Sequence, residues 1–97
     1  MRRRYLVGYD VSEPGRLRRV YRTLRGFGDP LQYSLFRCDL NDAERMRMKE
    51  ALVEVIHHAD DRVVIVDLGP VEGRAAEVFE CLGRQDPVPP RGDAVIV

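Results

Sequence analysis

The chain predicts a small α/β sandwich in which two helices cover one face of a sheet. Three observations carry that prediction: apolar runs of strand composition at 4–10, 31–38 and 62–69, two intervening stretches whose apolar residues recur at helical spacing, and a start signal before each of those stretches. The 97 residues suffice for one domain, 1–97, with a modest core. That size is close to the limit at which a partner adds needed stability, so a homodimer is expected.

The first strand contains Tyr5, Leu6, Val7 and Tyr9 and ends on Asp10. Two readings of Asp10 stand on the residues alone: a turn former that caps the next helix, or a site acid held by the strand and left open to ligand by the loop. Ser12, Glu13 and Pro14 then signal a helix start, with Ser12 as the hydroxyl cap, and the helix is expected over 13–25. Leu17, Val20, Tyr21 and Leu24 form its core stripe, while Arg16, Arg18, Arg19, Arg22 and Arg25 fan over the opposite half as a phosphate track. Gly26 and Gly28 are expected to end it through positive φ.

The run 31–38 reads as one strand with Leu31, Tyr33 and Leu35 on one face and Gln32, Ser34, Phe36 and Cys38 on the other. Phe36 has two roles open to it, core packing and stacking on a base. Asn41 with Glu44 three residues on is a capping box, opening a helix to about His58 with an apolar arc of Met46, Met48, Leu52, Val53, Val55 and Ile56. His57 and His58 point about 100° apart on a helix, so they suit its C-terminal end better than a metal. The run 62–69 is apolar on both faces, which predicts a central strand. A short helix is expected over 72–83, a stiff proline-rich connector over 86–90, and an apolar tail strand over 93–97 that pairs with its own sheet or a second copy.

Composition narrows the function classes. With 44% apolar and 33% charged residues the chain is of globular type, and no apolar run is long enough to span a bilayer. The apolar segment after Arg2, Arg3 and Arg4 is interrupted by Gly8 and Asp10, so no signal peptide is predicted and a cytoplasmic location is expected. Cys38 and Cys81 lack metal-ligand spacing and are expected as buried thiols. The net charge is zero, yet residues 1–28 hold eight arginines against Asp10 and Glu13, an excess of six that the remainder cancels. Fifteen of the 16 basic residues are arginine, the side chain suited to bidentate phosphate contacts.

Tyr9-Asp10-Val11-Ser12, the arginine helix from Arg16 to Val20, Gln32-Tyr33-Ser34-Leu35-Phe36 and Arg62-Val63-Val64-Ile65-Val66 occur in one order at natural spacing. Together they resemble the CRISPR-associated protein 2 family, the small partner of the spacer integrase, over nearly the whole chain. The resemblance implies a ferredoxin-like βαββαβ domain, with residues 29–40 bent into two short strands and the tail of 84–97 pairing at a dimer interface. It also implies that Asp10 is the metal ligand and catalytic acid, binding Mg²⁺ at the two-fold axis. Arg16, Arg18, Arg19 and Arg22 are then expected to bind nucleic acid, RNA or DNA, with Tyr9, Ser12 and Phe36 near the substrate. Pro30 stands where other members carry a basic residue, which withdraws a cationic substrate contact from that loop. The expected function is metal-dependent phosphodiester cleavage in spacer acquisition; a non-catalytic dimeric adaptor between integrase dimers is the alternative.

Overall fold

The computed structural model describes residues 1–83; the expectations for the connector and the tail strand lie outside the described residues. The elements run β1 (Arg3–Asp10), α1 (Pro14–Arg25), β2 (Asp29–Gln32), β3 (Leu35–Leu40), α2 (Asp42–Val55) and β4 (Arg62–Pro70), followed by a 3₁₀ turn at Arg74–Glu77. Four strands form one antiparallel sheet in the order β2-β3-β1-β4. Two split βαβ units interleaved in this order make the ferredoxin-like arrangement.

The core follows from the alternation of the strands. Tyr5, Val7 and Tyr9 of β1 and Phe36, Cys38 and Leu40 of β3 are buried against Val20, Tyr21 and Leu24 of α1 and Met48 and Leu52 of α2. Phe36 is its centre, with ring centroids 6.2 Å from Tyr9 and 5.3 Å from Tyr21, the latter edge to face. The capping box of α2 forms as its spacing predicts: Glu44 N–H donates to Asn41 Oδ1 at 2.8 Å and Asn41 N–H to Glu44 Oε1 at 2.9 Å.

Several local expectations are corrected. The cap of α1 is Glu13, not Ser12, because the Glu13 carboxylate folds back to accept from the N–H groups of Gly15 and Arg16, both at 2.8 Å. Gly26 takes an ordinary helical φ of −73°, and Gly28 is required by space: a Cβ there would collide with the Arg37 carbonyl and the Cys38 sulfur. The single strand expected over 31–38 is two, broken at Tyr33–Ser34, where Ser34 takes φ 60°. No Gly or Asn marks that turn, so alternation alone reads straight through it.

Helix α2 stops at Val55, short of His58, because Ile56 turns extended and the His57 N–H is taken by Asp61 Oδ2 at 2.8 Å. Its arc is narrower than the sequence suggests, since Met46 and Val53 are exposed. Among the described residues β4 lies at the edge of the sheet rather than at its centre. The helix expected over 72–83 is a single 3₁₀ turn, and Cys81 is exposed while Cys38 is buried. Among the described residues no helix is long and apolar enough to cross a membrane.

Candidate metal and nucleic-acid site

Because the helices take the Tyr5, Val7 and Tyr9 face of β1, the residues between them look the other way. Leu6, Gly8 and Asp10 share that open face with their β4 partners Val66, Val64 and Arg62. The segment around Ala75 reaches the face at its other end, where Arg4 Nη1 donates to the Ala75 carbonyl at 3.3 Å and Arg4 pairs with Asp39 at 2.8 Å. At the Asp10 end Val64 and Val66 stay 44% and 42% exposed. An apolar strand edge with two half-exposed valines is the kind of surface that a partner covers.

Asp10 is exposed and ends β1 opposite Arg62. None of the side-chain hydrogen bonds or ion pairs among the described residues engages it. The same end of the molecule holds the start of α1, the Tyr33–Ser34 turn and the loop after α2. The Tyr9 N–H donates to the Ser34 carbonyl at 3.1 Å, so the turn is tied to the strand one residue before Asp10.

The sequence-predicted site residues divide into two groups. Asp10, Ser12, Arg18, Arg19 and Arg22 are exposed, Asp10 and Ser12 just before α1 and Arg22 in its last turn, at the end of the helix away from Asp10. Tyr9 and Phe36 face the core, with Phe36 0% exposed, so of its two roles core packing is the one the structure supports, and its ring offers no face to a base. Tyr9 is only 6% exposed, and burial, with the Tyr21 and Tyr33 phenols nearby, pushes its hydroxyl up to about 12. Such a phenol exchanges no proton near neutral pH.

Two α1 arginines depart from the outward track expected of them: Arg25 is buried, and Arg16 is ion-paired. Its Nε and Nη2 donate to Asp61 Oδ2 and Oδ1 at 2.7 and 3.2 Å, and the Asp61 side chain is 0% exposed. The pair fastens the start of α1 to the residue before β4, next to Arg62, the partner of Asp10, so Arg16 is a brace before it is a phosphate ligand. Sequence reasoning missed this role for Asp61; the only signal was the acid pair Asp60-Asp61 ahead of a strand. His57 is exposed, with Nδ1 3.4 Å from an Asp60 carboxylate oxygen.

The Arg16 hydrogen bonds, then the His57 N–H, hold the Asp61 carboxyl below its ordinary value. A carboxyl depressed in the folded state adds stability that is fully present above the pH where it titrates in the unfolded chain, about 4, and that is lost as pH falls through the lower folded value. Glu13, Glu44 and Asp67 are depressed in the same direction by backbone N–H donors and, for the last two, by arginine partners. Asp61→Asn is therefore expected to lower the melting temperature by several degrees near neutral pH and to flatten its fall below about pH 4, as thermal melts over a pH series would show. An unchanged slope in acid would remove Asp61 from that account.

Among the described residues no three His, Cys, Asp or Glu side chains gather as a metal cluster. Mg²⁺ takes oxygen ligands and keeps several waters; Asp10 alone would give it one carboxylate, and Asp10 of a second copy would give it two. The donor chemistry fits; the donor number fits only in a pair.

Three comparisons place the chain among known proteins. The family model for CRISPR associated protein Cas2 matches residues 1–72. The CRISPR-associated endoribonuclease Cas2 of Geobacter sulfurreducens is 39% identical over 84 residues, covering 87% of this chain and 88% of the relative. The CRISPR-associated endoribonuclease Cas2 1 of Rhodospirillum rubrum is 37% identical over 87 residues, covering 84% and 85%. The crystal structure of Streptococcus pyogenes Cas2 superposes with a TM-score of 0.71 at 32% identity, covering 82% of this chain and 99% of that one.

Proposed function

The chain belongs to the Cas2 family of CRISPR-associated proteins, and from that membership we propose that it is a homodimeric, Mg²⁺-dependent phosphodiesterase acting in the cytoplasm alongside the spacer integrase. The observation that carries the reading is Asp10, an exposed acid at the end of the central strand on the open face of the sheet. The endoribonuclease names of the relatives favour RNA over DNA.

Two copies joined through that face would bring two Asp10 carboxylates to one ion. The exposed Val64 and Val66 supply apolar surface for the junction. A divalent cation held there supplies Lewis acidity toward a phosphodiester. Every other part belongs to the chain: the Arg16–Asp61 brace holds the strand ends around Asp10, Arg62 adds positive charge opposite it, and exposed Arg18, Arg19 and Arg22 hold backbone phosphates. Phosphate contacts carry no sequence information, so weak sequence preference is expected.

Reversing Arg18, Arg19 and Arg22 together to Glu is expected to weaken nucleic-acid binding by more than about tenfold at moderate salt and to reduce the salt slope by about one unit per lost contact. Fluorescence anisotropy across a salt series reads both, and wild-type affinity in the triple variant would remove α1 from the interface.

A second reading rests on the same arginines without Asp10. As a dimeric adaptor, the protein would hold duplex DNA on α1 and bridge integrase dimers, and the single carboxylate per chain favours that role as much as catalysis. The readings separate on Asp10, which cleavage requires and bridging does not.

A further inference from the structure

Tyr33 is the one large aromatic side chain that the described fold leaves in solvent, at 80% exposure. It is also held there. The turn has two residues between β2 and β3, with Gln32 paired to Leu35 across its base, and Ser34 adopts φ 60° without the freedom of glycine. A non-glycine residue in that region persists where the surroundings over-determine it, and such strain clusters at active sites and ligand clamps. Here the fastening is the Ser34 carbonyl, which accepts the Tyr9 N–H at 3.1 Å. A Cβ built on Gly8 would lie 3.8 Å from the same carbonyl, so the turn also sits against the backbone of Gly8.

We infer that Tyr33 is a stacking platform for an unpaired base of a single-stranded nucleic acid, set by its rigid turn beside the Asp10 end of the sheet. The inference rests on the nucleic-acid reading proposed above and names the strand state of the ligand. An isolated aromatic flanked by exposed Gln32 and by Ser34 differs from an apolar docking patch, and β1 and β3 separate it from the exposed valines of β4. The neighbours are an amide and a hydroxyl, groups able to meet a base edge while the ring meets its face. Stacking accepts any base, in keeping with phosphate contacts that read no sequence.

The test is binding of a labelled short oligouridylate and of its abasic ribose-phosphate counterpart, measured by anisotropy in EDTA so that the strand stays intact. Wild type is expected to prefer the base-bearing strand. Tyr33→Ala is expected to lose about tenfold in affinity for it and to bind the abasic strand as wild type does, while Tyr33→Phe keeps wild-type behaviour. Equal binding of the two strands by wild type, undiminished oligouridylate binding by Tyr33→Ala, or full retention by Tyr33→Leu overturns the platform and leaves the phosphodiesterase reading standing. Loss of the dimer in Tyr33→Ala by sedimentation also overturns it, by making the turn a protein contact. Failure of wild type to bind either strand in EDTA overturns the platform, and failure that persists with Mg²⁺ restored overturns the nucleic-acid reading as well.

Discussion

Asp10→Asn is expected to lower Mg²⁺-dependent phosphodiester cleavage by at least about 100-fold, while the chain stays folded and dimeric. The magnitude follows from the charge. In the proposed symmetric dimer the two Asp10 carboxylates would hold the ion together, so the substitution would remove both anionic ligands at once, and loss of several kcal/mol of charge stabilisation amounts to two or more decades in rate. The fold is expected to survive because the Asp10 side chain is exposed and takes part in none of the hydrogen bonds that brace this end. RNA turnover with Mg²⁺ or with EDTA, beside sedimentation of both proteins, separates the outcomes. Cleavage at the wild-type rate by the variant would sink the catalytic role of Asp10, and the adaptor reading would then be the one that the arginines support.

Phe36→Ala should lower the free energy of unfolding by about 3–5 kcal/mol, the range for an aromatic deleted from a close-packed core. The ring is 0% exposed and bridges β3 to Tyr9 of β1 and Tyr21 of α1, so its loss opens a cavity where sheet and helix meet. Small domains have about 5–15 kcal/mol in total, and the variant would therefore be partly unfolded in mild denaturant. Phe36→Leu, which refills most of the space, should cost much less. Urea titrations of both variants and wild type at one fixed protein concentration measure the two costs. A cost below about 1 kcal/mol for the alanine variant would contradict core packing and reopen a surface role for the ring.

These two residues show how unevenly the site could be read in advance. Asp10 stood out because a strand of apolar residues ends on a single acid, a purely local pattern. Phe36 and Tyr33 lie three residues apart in one alternating run, and alternation cannot say which aromatic is inside when a turn without glycine reverses the chain between them. Arg16 was legible as a cation on the outer half of α1. Its partner was not, because Asp61 is 45 residues away and only the packing of α1 beside the start of β4 brings the two together.

By itself the sequence determined what short-range chemistry determines: the start of α2 through the Asn41–Glu44 box, the core stripe of α1, the strand nature of 4–10 and 62–69, and the concentration of arginine near Asp10. Family resemblance, not pattern, supplied the division of 29–40 into two strands. Only the tertiary structure decided that β1 is central and β4 outermost among the described strands, that Tyr33 is presented while Phe36 is buried, and that Arg16 is committed to Asp61. Periodicity is a property of neighbours along the chain, whereas strand order and ion pairing depend on contacts between segments that the periodicity of each leaves unspecified.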